Sequence, residues 1–367
     1  MRRVASLGLA ALLVIGVVVV IVISRSGSSG TSSQGLTLVR GVIGSEKLPF
    51  FNDTQVQAAF AAAGYRVQVD TAGSREIATT TDLSQYDFAF PAGEPQANKI
   101  KSDHKVSRVY QPFFTPMAIA TFQPIVDLLT AAGAVHTVGG LITFDVKQFL
   151  GMVAKNQRWT DLPNNTTYPA TKAILVTSTD VRSSNSAAMY LSLASYAANG
   201  DNIVTSNTQA DTVLPDVSPI FLRQGFVASS SEEPFQDYLT IGIGRTPMVM
   251  VYEAQYRGAQ VAGNALPAQA VLMYPSPTVF SKHTLVPLNG KGDAIGRLLS
   301  TNVDLQHLAV QYGFRINDAA YQHTVAVQHH IADPPTLLNV IDPPSFETLE
   351  YMINAITRLY SQEVPSP

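Results

Sequence analysis

Several residue types are scarce or missing in this sequence of 367 residues. It contains no cysteine, which excludes disulfides, thiolate metal sites and a lipid-modified N-terminal cysteine. Charged residues make up only 14% of the chain, the net charge is -3, and no cluster of lysine and arginine alternates with aromatic residues. Because nothing in the sequence forms a basic surface that would neutralise phosphates, we expect no nucleic-acid partner.

Recognisable catalytic and metal-binding motifs are lacking as well. The sequence has no G-x-S-x-G, no H-E-x-x-H and no P-loop. Residues 102–105 fit S-x-x-K and residues 183–185 resemble the S-x-N element of penicillin-recognising enzymes, but the K-[ST]-G of those enzymes is absent. His323, His329 and His330 do not have the spacing of a metal site. We therefore expect no catalytic residue, no metal and no cofactor, and a serine-type hydrolase is the least favoured alternative.

One long apolar segment is present, at the N-terminus. Residues 4–23 form an uncharged run of 20 residues after Arg2 and Arg3. A helix of this length rises about 30 Å, which is enough to cross the hydrocarbon core of a bilayer. The positive charge ahead of it predicts a cytoplasmic N-terminus and an extracytoplasmic remainder. We expect a single-pass signal anchor over residues 1–24 and a flexible Gly/Ser linker over residues 25–35. The alternative is a cleaved signal peptide, although its apolar region is usually shorter, about 7 to 15 residues.

Beyond the linker, strand-like segments alternate with helical ones, the order typical of an α/β fold. Residues 36–44, 65–70 and 86–90 are predicted strands, and each is followed by a polar loop that contains glycine. These loops contain Ser45 after the first strand, Gly73, Ser74 and Arg75 after the second, and Gly93 and Glu94 after the third. In open parallel sheets, ligands bind beyond the carboxyl ends of the strands, so we expect the three loops to share one edge.

A fourth polar loop lies between a predicted buried strand at residues 173–176 and a predicted helix that begins near Ser186. Unpaired backbone N–H groups and the positive end of a helix dipole attract a negatively charged group at such a position. The alternative is an ordinary N-cap, because the same residue types cap helices well. The candidate binding residues in this loop are Ser178, Thr179, Arg182, Ser184, Asn185 and Ser186.

Two extended apolar segments predict crossings between two lobes. The first is residues 110–121, where Pro112 and Pro116 make the segment a poor central strand. The second is residues 278–288. Two lobes also suit the chain length, because single cores rarely exceed roughly 250 to 300 residues. Lobe I is predicted at residues 36–120 and 278–367, and lobe II at residues 121–277. We further predict a helix over residues 144–159, buried strands at 248–252 and 269–273, irregular structure over 201–222, and a helical tail from Asp293.

Seven segments in this order resemble the type 2 periplasmic (extracytoplasmic) solute-binding proteins, and among them the oxyanion and other ABC-type binding proteins most of all. They are GSEKLPFF at 44–51, YDFAFPAG at 86–93, FFTPMAIAT at 113–121, FLGMVAKNQRWTDLP at 149–163, and later VTSTDVRSSNS, MVMVYEAQ and YPSPTVFSKHTLVPL. The resemblance covers the chain from about Leu36 to Tyr312 and implies a two-lobe α/β fold of the periplasmic-binding-protein type. The sequence departs from the family in lacking the lipobox cysteine and in carrying both signs of charge in its loops.

The resemblance implies a ligand in the cleft between the lobes, held by the loop residues named above and by Tyr252, Glu253 and Tyr274 at strand ends of the second lobe. Arg75 and Arg182 favour an oxyanion or a carboxylate. Glu94 and Glu253 favour an amine, so a zwitterion stays open. The expected function is non-enzymatic binding of a small polar solute outside the cytoplasm for delivery to a permease or a sensor. The alternative is an interaction module that keeps the fold and binds another cell-envelope protein.

Overall fold

A mixed sheet of ten strands organises the computed structural model of the chain, which describes residues 35–225, 228–332 and 339–363. The strands are β1 (Thr37–Ile43), β2 (Tyr65–Thr71), β3 (Phe88–Phe90), β4 (Tyr110–Phe122), β5 (Val135–Val138), β6 (Leu141–Asp145), β7 (Met248–Tyr252), β8 (Ala270–Ser276), β9 (Thr278–Pro287) and β10 (Val340–Ile341). Their order across the sheet is β2-β1-β3-β9-β4-β8-β6-β5, with β10 beside β9 and β7 beside β4.

Helices connect and cover these strands. They are α1 (Leu48–Asn52), α2 (Thr54–Ala62), α3 (Ser74–Thr79), α4 (Glu94–Asp103), α5 (Gln123–Ala131), α6 (Val146–Ala154), α7 (Asn185–Ala198), α8 (Asn207–Val217), α9 (Pro219–Leu222), α10 (Glu232–Thr240), α11 (Glu253–Val261), α12 (Gly290–Thr301), α13 (Val303–Gln311), α14 (Ala319–Gln328) and α15 (Phe346–Glu363). Short 3₁₀ turns add Ser45–Lys47, Leu83–Gln85, Trp159–Asp161 and Gly242–Gly244. The predicted α/β class is confirmed.

The first half of the sheet brings three predicted loops to one edge. Strands β1 and β3 are parallel and in register from Gly41 opposite Phe88 to Ile43 opposite Phe90, and β2 lies on the other side of β1. Each strand leads directly into a helical turn: the 3₁₀ turn at Ser45, helix α3 and helix α4. Parallel strands end at the same edge, so the loops after them are neighbours, as the strand pattern predicts.

Strand β4 links the two halves of the sheet. Tyr110 to Pro116 pair with β9, whereas Met117 to Phe122 pair with β7 and β8. The sequence-based view of this segment as a poor central strand is wrong, because the sheet accommodates both prolines. Pro112 falls within the register shift between Tyr110 and Phe113, and Pro116 is the last residue paired with β9. A bulge removes the need for the N–H that proline lacks.

The second link between the halves is the continuous run of β8 and β9. Strand β8 pairs with β6 and β4 in the second half, and β9 pairs with β3 and β4 in the first. These two links separate a first lobe around β1 to β3 from a second lobe around β5 to β8. The residue boundaries given for the lobes stay predictions. The C-terminal helix α15 contacts helix α4 of the first lobe and helices α7, α8 and α9 of the second.

Three further sequence-based assignments are wrong. Residues 173–176 form no regular strand. The chain after them pairs with β7 only through the isolated bridge between Thr177 and Val249. Residues 201–222 are not irregular, because they contain α8, which carries Pro215 internally, and α9. The predicted helix over 144–159 is shorter, because its first residues complete β6 and a 3₁₀ turn follows at Trp159. None of these changes moves the predicted loops away from the cleft.

The predicted signal anchor and the Gly/Ser linker lie outside the described residues, and both stay predictions. Within residues 35–225, 228–332 and 339–363, every helix is too short or too polar to span a bilayer.

Candidate functional site

A polar cavity of about 310 Å³, which we call the serine pocket, lies in the cleft between the two lobes. Seven of its lining residues are serines, and none is lysine or arginine. First-lobe loops contribute Gly44, Ser45, Glu46, Thr71, Ala72, Gly73, Ser74 and Glu76; the second lobe contributes Ser183, Ser184, Asn185, Ser229, Ser230, Ser231 and Tyr252. Residues that are distant in sequence therefore meet because parallel strands deliver their loops to one edge.

The first-lobe wall is held rigidly by local hydrogen bonds. The Gly73 N–H donates to Glu76 Oε2 over 3.0 Å, which fixes the start of α3. The hydroxyl of Ser74, a buried residue, accepts a hydrogen bond of 3.0 Å from the backbone N–H of Ala92 in the loop after β3. The loops after β2 and β3 are thereby joined, and the pocket wall on this side is preformed.

The second-lobe wall is built on the N-terminus of α7. This helix has 14 residues, and its N-cap Ser184 makes no capping hydrogen bond through its side chain. Ser184 Oγ instead lies 3.0 Å from Ser186 Oγ, which is 2.8 Å from Thr179 Oγ1. An uncapped N-terminus leaves backbone N–H groups without partners in the helix and carries a partial positive charge. The wall therefore favours the binding of negatively charged atoms.

The two lobes contact each other at two points of the serine-pocket lining. Ser45 Oγ of the first lobe is 3.4 Å from Ser230 Oγ of the second. At the second point, a Cβ atom placed on Gly73 would lie 2.5 Å from the backbone oxygen of Ser183. This approach requires glycine, and it brings the α3 loop against the loop that precedes α7. The cleft is closed in this structure.

A buried charged cluster forms the floor beneath the pocket. Lys47 Nζ contacts Glu46 Oε1 and lies 3.1 Å from His283 Nδ1. The side chains of Lys47 and His283 are fully buried, whereas that of Glu46 is 8% exposed and lines the pocket. Burial opposes ionisation of Glu46, but Lys47 and His283 outweigh it, so the pKa of the carboxyl is well below its usual value. Burial and the charge of Lys47 lower the pKa of His283 to about 4. Glu46 is thus a carboxylate whose charge is balanced by Lys47 behind it.

A larger cavity, which we call the acidic groove, opens beside the serine pocket. It measures about 1,270 Å³ and shares Ser45, Glu46 and Tyr252 with the pocket. Four carboxylates line it, and apolar and aromatic side chains fill the spaces between them. The carboxylates are Glu46, Asp53, Glu232 and Asp304, and the apolar and aromatic members include Leu48, Phe235, Leu239, Leu308 and Tyr312.

Comparisons with known proteins identify this architecture. No protein-family model matches the sequence, and the comparison with curated proteins gave no match. Among solved structures, apo ferric ion-binding protein A of Pasteurella haemolytica superposes with a TM-score of 0.55 at 10% identity, covering 89% of this chain and 97% of that one. Iron-bound HitA of Pseudomonas aeruginosa gives 0.53 at 9% identity, covering 89% and 99%. The sulfate-binding protein SubI of Mycobacterium tuberculosis H37Rv gives 0.50 at 17% identity, covering 86% and 96%. This chain has the type 2 periplasmic-binding-protein fold.

In this periplasmic-binding-protein fold the cleft between the lobes contains the serine pocket, so the predicted site residues can be located relative to it. Six of the fifteen line the pocket, namely Ser45, Gly73, Ser74, Ser184, Asn185 and Tyr252. Asn185 Nδ2 donates to the Tyr252 hydroxyl over 3.1 Å, which ties α7 to the end of β7. Burial raises the pKa of Tyr252, so this hydroxyl stays protonated and is able to donate.

Four predicted residues lie behind the pocket wall and support it. Thr179 and Ser186 are buried and form the hydroxyl chain that leads to Ser184. Gly93 packs so closely on Asn185 that an added Cβ would lie 2.3 Å from Asn185 Oδ1. The backbone N–H of Ser178 donates to Gln224 Oε1 over 2.7 Å and fixes the start of the loop.

The structure does not bring the predicted arginines into the serine pocket. The Arg75 guanidinium binds Glu350 of α15 through Nε and Nη2, at 2.7 and 2.8 Å. Arg182 pairs with Asp180 and stacks on the ring of Tyr360, with 4.9 Å from Cζ to the ring centroid. Both guanidinium groups are satisfied by protein partners. The positive end of α7 and the hydroxyls, rather than these arginines, are available to an anion in the pocket.

The predicted acidic residues are likewise engaged elsewhere. Glu253 is fully buried and accepts hydrogen bonds from Arg315 at 2.6 and 2.7 Å and from the Tyr274 hydroxyl, with Arg257 Nε at 3.1 Å. Burial opposes its ionisation, but the arginines prevail and lower its pKa. Glu94 pairs with Lys282 at 3.1 Å on the outer surface. Glu253, Tyr274 and Glu94 are therefore absent from the described lining of the serine pocket.

Sequence reasoning missed seven lining residues that carry polar side chains: Glu46, Thr71, Glu76, Ser183, Ser229, Ser230 and Ser231. A signal for the last three exists, because a serine run immediately before two glutamates and an apolar stretch is typical of a helix N-terminus. Ser231 is the N-cap of α10 and makes no capping hydrogen bond through its side chain. No group of three or more histidine, aspartate or glutamate side chains in the described part of the chain is arranged to hold a metal ion.

Proposed function

We propose that this protein binds a small polar solute, anionic or zwitterionic, in its interlobe cleft and delivers it to a permease or a sensor. The observation that carries the proposal is the serine pocket, whose walls come from both lobes and present hydroxyls, an amide, the carboxylates of Glu46 and Glu76 and the uncapped N-terminus of α7. A helix N-terminus with unpartnered N–H groups binds anionic groups. No described residue of the pocket lining is lysine or arginine, so hydrogen bonds rather than ion pairs would hold an anionic group of the ligand.

The two-lobe arrangement supports a binding role. Ligands that contact both walls stabilise the closed arrangement relative to an open one, and hinge closure of this kind is a common response of two-lobed proteins to a ligand. The Ser45–Ser230 approach and the Gly73–Ser183 contact both join pocket-lining residues of the two lobes. A solute in the pocket would therefore contact both lobes.

The location and the partner are part of the same proposal. The apolar run at residues 4–23, followed by a Gly/Ser segment, would hold the binding lobes on the outer face of the membrane near a permease or sensor. Fractionation of cells that express the full chain tests this: the protein should sediment with membranes and resist extraction by carbonate. Release into the soluble fraction would contradict the anchor and leave the binding proposal standing.

A thermal-shift screen of the full-length chain tests the binding function. The panel contains sulfate, phosphate, carboxylates, amino acids and short peptides. A genuine ligand at 100 times its dissociation constant should stabilise the folded protein by about 2.7 kcal/mol. Ser184→Ala should weaken binding of that ligand by about 0.5–1.5 kcal/mol, because it removes one neutral hydrogen-bonding group.

Matched variants show whether the serine pocket is the site. Arg182→Ala and Ser300→Ala should leave affinity unchanged, because Arg182 is paired with Asp180 and Ser300 bonds within α12. Loss of binding in Arg182→Ala would move the anion site to that arginine. If no compound of the panel stabilises the protein, the cell-envelope interaction module replaces the solute receptor. Turnover of an ester or amide would instead indicate the hydrolase.

A further inference from the structure

The C-terminal helix α15 begins beside the first lobe and ends on the second. The chain enters it from β10, which pairs with the start of β9. At the beginning of the helix, Lys99 Nζ of α4 lies 6.0 Å from the ring centroid of Phe346. At its other end, the Arg182 guanidinium of the second lobe stacks on the ring of Tyr360. A helix of 18 residues is about 27 Å long, so one rigid element connects the two lobes.

The attachment of α15 to the second lobe is mainly apolar. The helix has one buried apolar face with the spacing of an amphipathic helix, formed by Leu349, Met352, Ile353 and Ile356. It contacts α7, α8 and α9 of the second lobe, and α4 of the first. Burial of four large apolar side chains is a much stronger attachment than a partly exposed polar contact. Because most of its helix neighbours belong to the second lobe, α15 moves with that lobe.

The attachment of α15 to α3 of the first lobe is polar. Glu350 accepts hydrogen bonds from Arg75 Nε and Nη2, at 2.7 and 2.8 Å. The next residue of the helix, Tyr351, donates from its hydroxyl to Asp211 of α8 over 2.8 Å. Consecutive residues of α15 therefore bond to opposite lobes. Arg75 makes a third contact, because its Nη1 donates to the backbone oxygen of Arg182 across the cleft over 3.2 Å.

The three hydrogen bonds of Arg75 depend on closure of the lobes. Arg75 lies two residues after Gly73, and Arg182 precedes Ser183, the two residues at which the pocket walls meet. When the lobes separate, Arg75 leaves with the first lobe, whereas Glu350 and the Arg182 carbonyl stay with the second. Hydrogen bonds require about 2.7–3.2 Å between donor and acceptor, so an opening of a few ångströms breaks all three. Water replaces the lost partners at low cost, because both side chains of the ion pair are partly exposed.

We propose that α15 is a latch, carried by the second lobe, that stabilises the closed cleft by engaging Arg75 of the first. The apolar face keeps the helix on its own lobe, and the polar contacts form and break with each closure. A ligand that contacts both pocket walls binds the closed arrangement, so its apparent affinity depends on how much of the protein is closed. The latch goes beyond the proposed solute-binding function and acts in the same way on any ligand of the cleft.

Distance measurements between the lobes test the latch in the full-length chain without added solute. The sequence contains no cysteine, so a pair of introduced cysteines can be labelled without competing sites. Thr80→Cys at the end of α3 and Thr208→Cys on α8 are exposed positions on opposite lobes. Spin labels at these positions, measured by double electron–electron resonance, give the ratio of a shorter, closed distance to a longer, open one.

Variants of the labelled chain identify the contacts of the latch. Glu350→Gln keeps the shape of the side chain and removes its charge, so the closed-to-open ratio should fall about two- to fivefold, the range of one partly exposed ion pair. Arg75→Gln also removes the bond to the Arg182 oxygen, so its loss should be at least as large. The double variant should match Arg75→Gln alone, because the ion pair is already lost. Glu347→Gln, an exposed carboxylate of the same helix, is the matched control and should leave the ratio unchanged.

Urea unfolding of the same variants separates a latch from a helix that only stabilises the fold. A lower closed-to-open ratio in Glu350→Gln and Arg75→Gln, with Glu347→Gln unchanged, supports the latch. A lower free energy of unfolding in Glu350→Gln with an unchanged ratio overturns it, and so does one distance shared by the parent chain and every variant. An equal loss in Glu347→Gln also overturns it, because the effect would then follow from helix charge. None of these results bears on solute binding, which the thermal-shift screen tests.

Discussion

Glu350, on the C-terminal helix, accepts hydrogen bonds from Nε and Nη2 of Arg75, a residue of α3 next to the serine-pocket residue Ser74. The same guanidinium donates from Nη1 to the backbone oxygen of Arg182 over 3.2 Å, across the cleft. Helix α15 is also fixed to the second lobe, because the Tyr351 hydroxyl donates to Asp211 over 2.8 Å. The ion pair therefore joins a first-lobe loop to a helix that contacts both lobes, and it helps to hold the cleft closed.

A double-mutant cycle on Arg75→Ala and Glu350→Ala measures this link. The side chains are 28% and 18% exposed, so we expect a coupling of about 0.5–1 kcal/mol in the free energy of unfolding. The exposed pair Arg297–Asp293, taken through the same cycle, should couple more weakly. Additive effects of Arg75→Ala and Glu350→Ala would mean that the pair contributes nothing to stability.

Gly73→Ala should interfere with closure of the lobes. Its Cβ would lie 2.5 Å from the Ser183 oxygen, so the α3 loop or the opposite loop has to move. Crowding of this kind typically costs about 1–3 kcal/mol, and we expect ligand binding to weaken by that amount. With ligand present, small-angle scattering should show a larger radius of gyration for Gly73→Ala than for the wild type. Gly151→Ala, where an added Cβ has no neighbour within 4 Å, should bind normally. Unchanged affinity in Gly73→Ala would contradict the closed contact.

Glu253→Gln should destabilise the protein without a specific effect on the ligand. The substitution leaves Arg315 and Arg257 without their shared carboxylate in a buried environment, which typically costs about 3–5 kcal/mol. Chemical denaturation measures the change in the free energy of unfolding. Glu94→Gln is the control, because Glu94 is 34% exposed and pairs with Lys282 at the surface. An exposed ion pair contributes at most about 1 kcal/mol to the free energy of unfolding. A loss in Glu253→Gln as small as in Glu94→Gln would contradict a structural role.

His283 should make the stability of the protein depend on pH. Its pKa is about 4 in the folded state and 6.5 in a model peptide, so the unfolded chain binds more protons between these values. The stability that depends on neutral His283 is therefore fully present above pH 6.5 and is lost as the pH falls toward 4. Between pH 7 and pH 5 we expect the wild type to lose stability on the order of 2 kcal/mol more than His283→Gln. Urea unfolding at both pH values measures this difference.

Substitution of an exposed histidine provides the reference for that experiment. His136→Gln, on the edge strand β5, shows the effect of removing a histidine from the surface. If His283→Gln and the wild type lose the same stability between pH 7 and pH 5, His283 is not neutral and buried in the way the structure describes.

Much of the strand architecture could be predicted from local sequence patterns. Short runs of β-branched and aromatic residues, such as Met248 to Tyr252, form strands because buried strands need apolar side chains on both faces. The loops with Ser45, Gly73 and Ser74 could be placed together because parallel strands end at one edge. The helices over residues 207–222 could not be recognised, since Pro215 and the polar residues around it weaken every local helix signal.

The charged residues of the site could not be assigned from sequence, because their partners are distant in the chain. Arg75 pairs with Glu350, 275 residues away, and Glu253 pairs with Arg315, 62 residues away. A carboxylate or guanidinium in a polar loop has the same sequence pattern whether it binds a ligand or another side chain. By contrast, the helix predicted to begin near Ser186 is present as α7, because the N-terminus of a long helix has a strong local signal. The ligand-binding role of Ser184 and Asn185 stays a prediction.

Strand β4 has a mechanical consequence, because it changes partners between Pro116 and Met117. A rigid rotation of one lobe has to be absorbed there and at the neighbouring junction of β8 and β9. These two junctions form the pivot of such a rotation, so residues near them move little and loops far from them move farther. A stiffer or looser pivot would therefore shift the balance between open and closed arrangements of the lobes, and with it the apparent affinity for any molecule bound in the cleft.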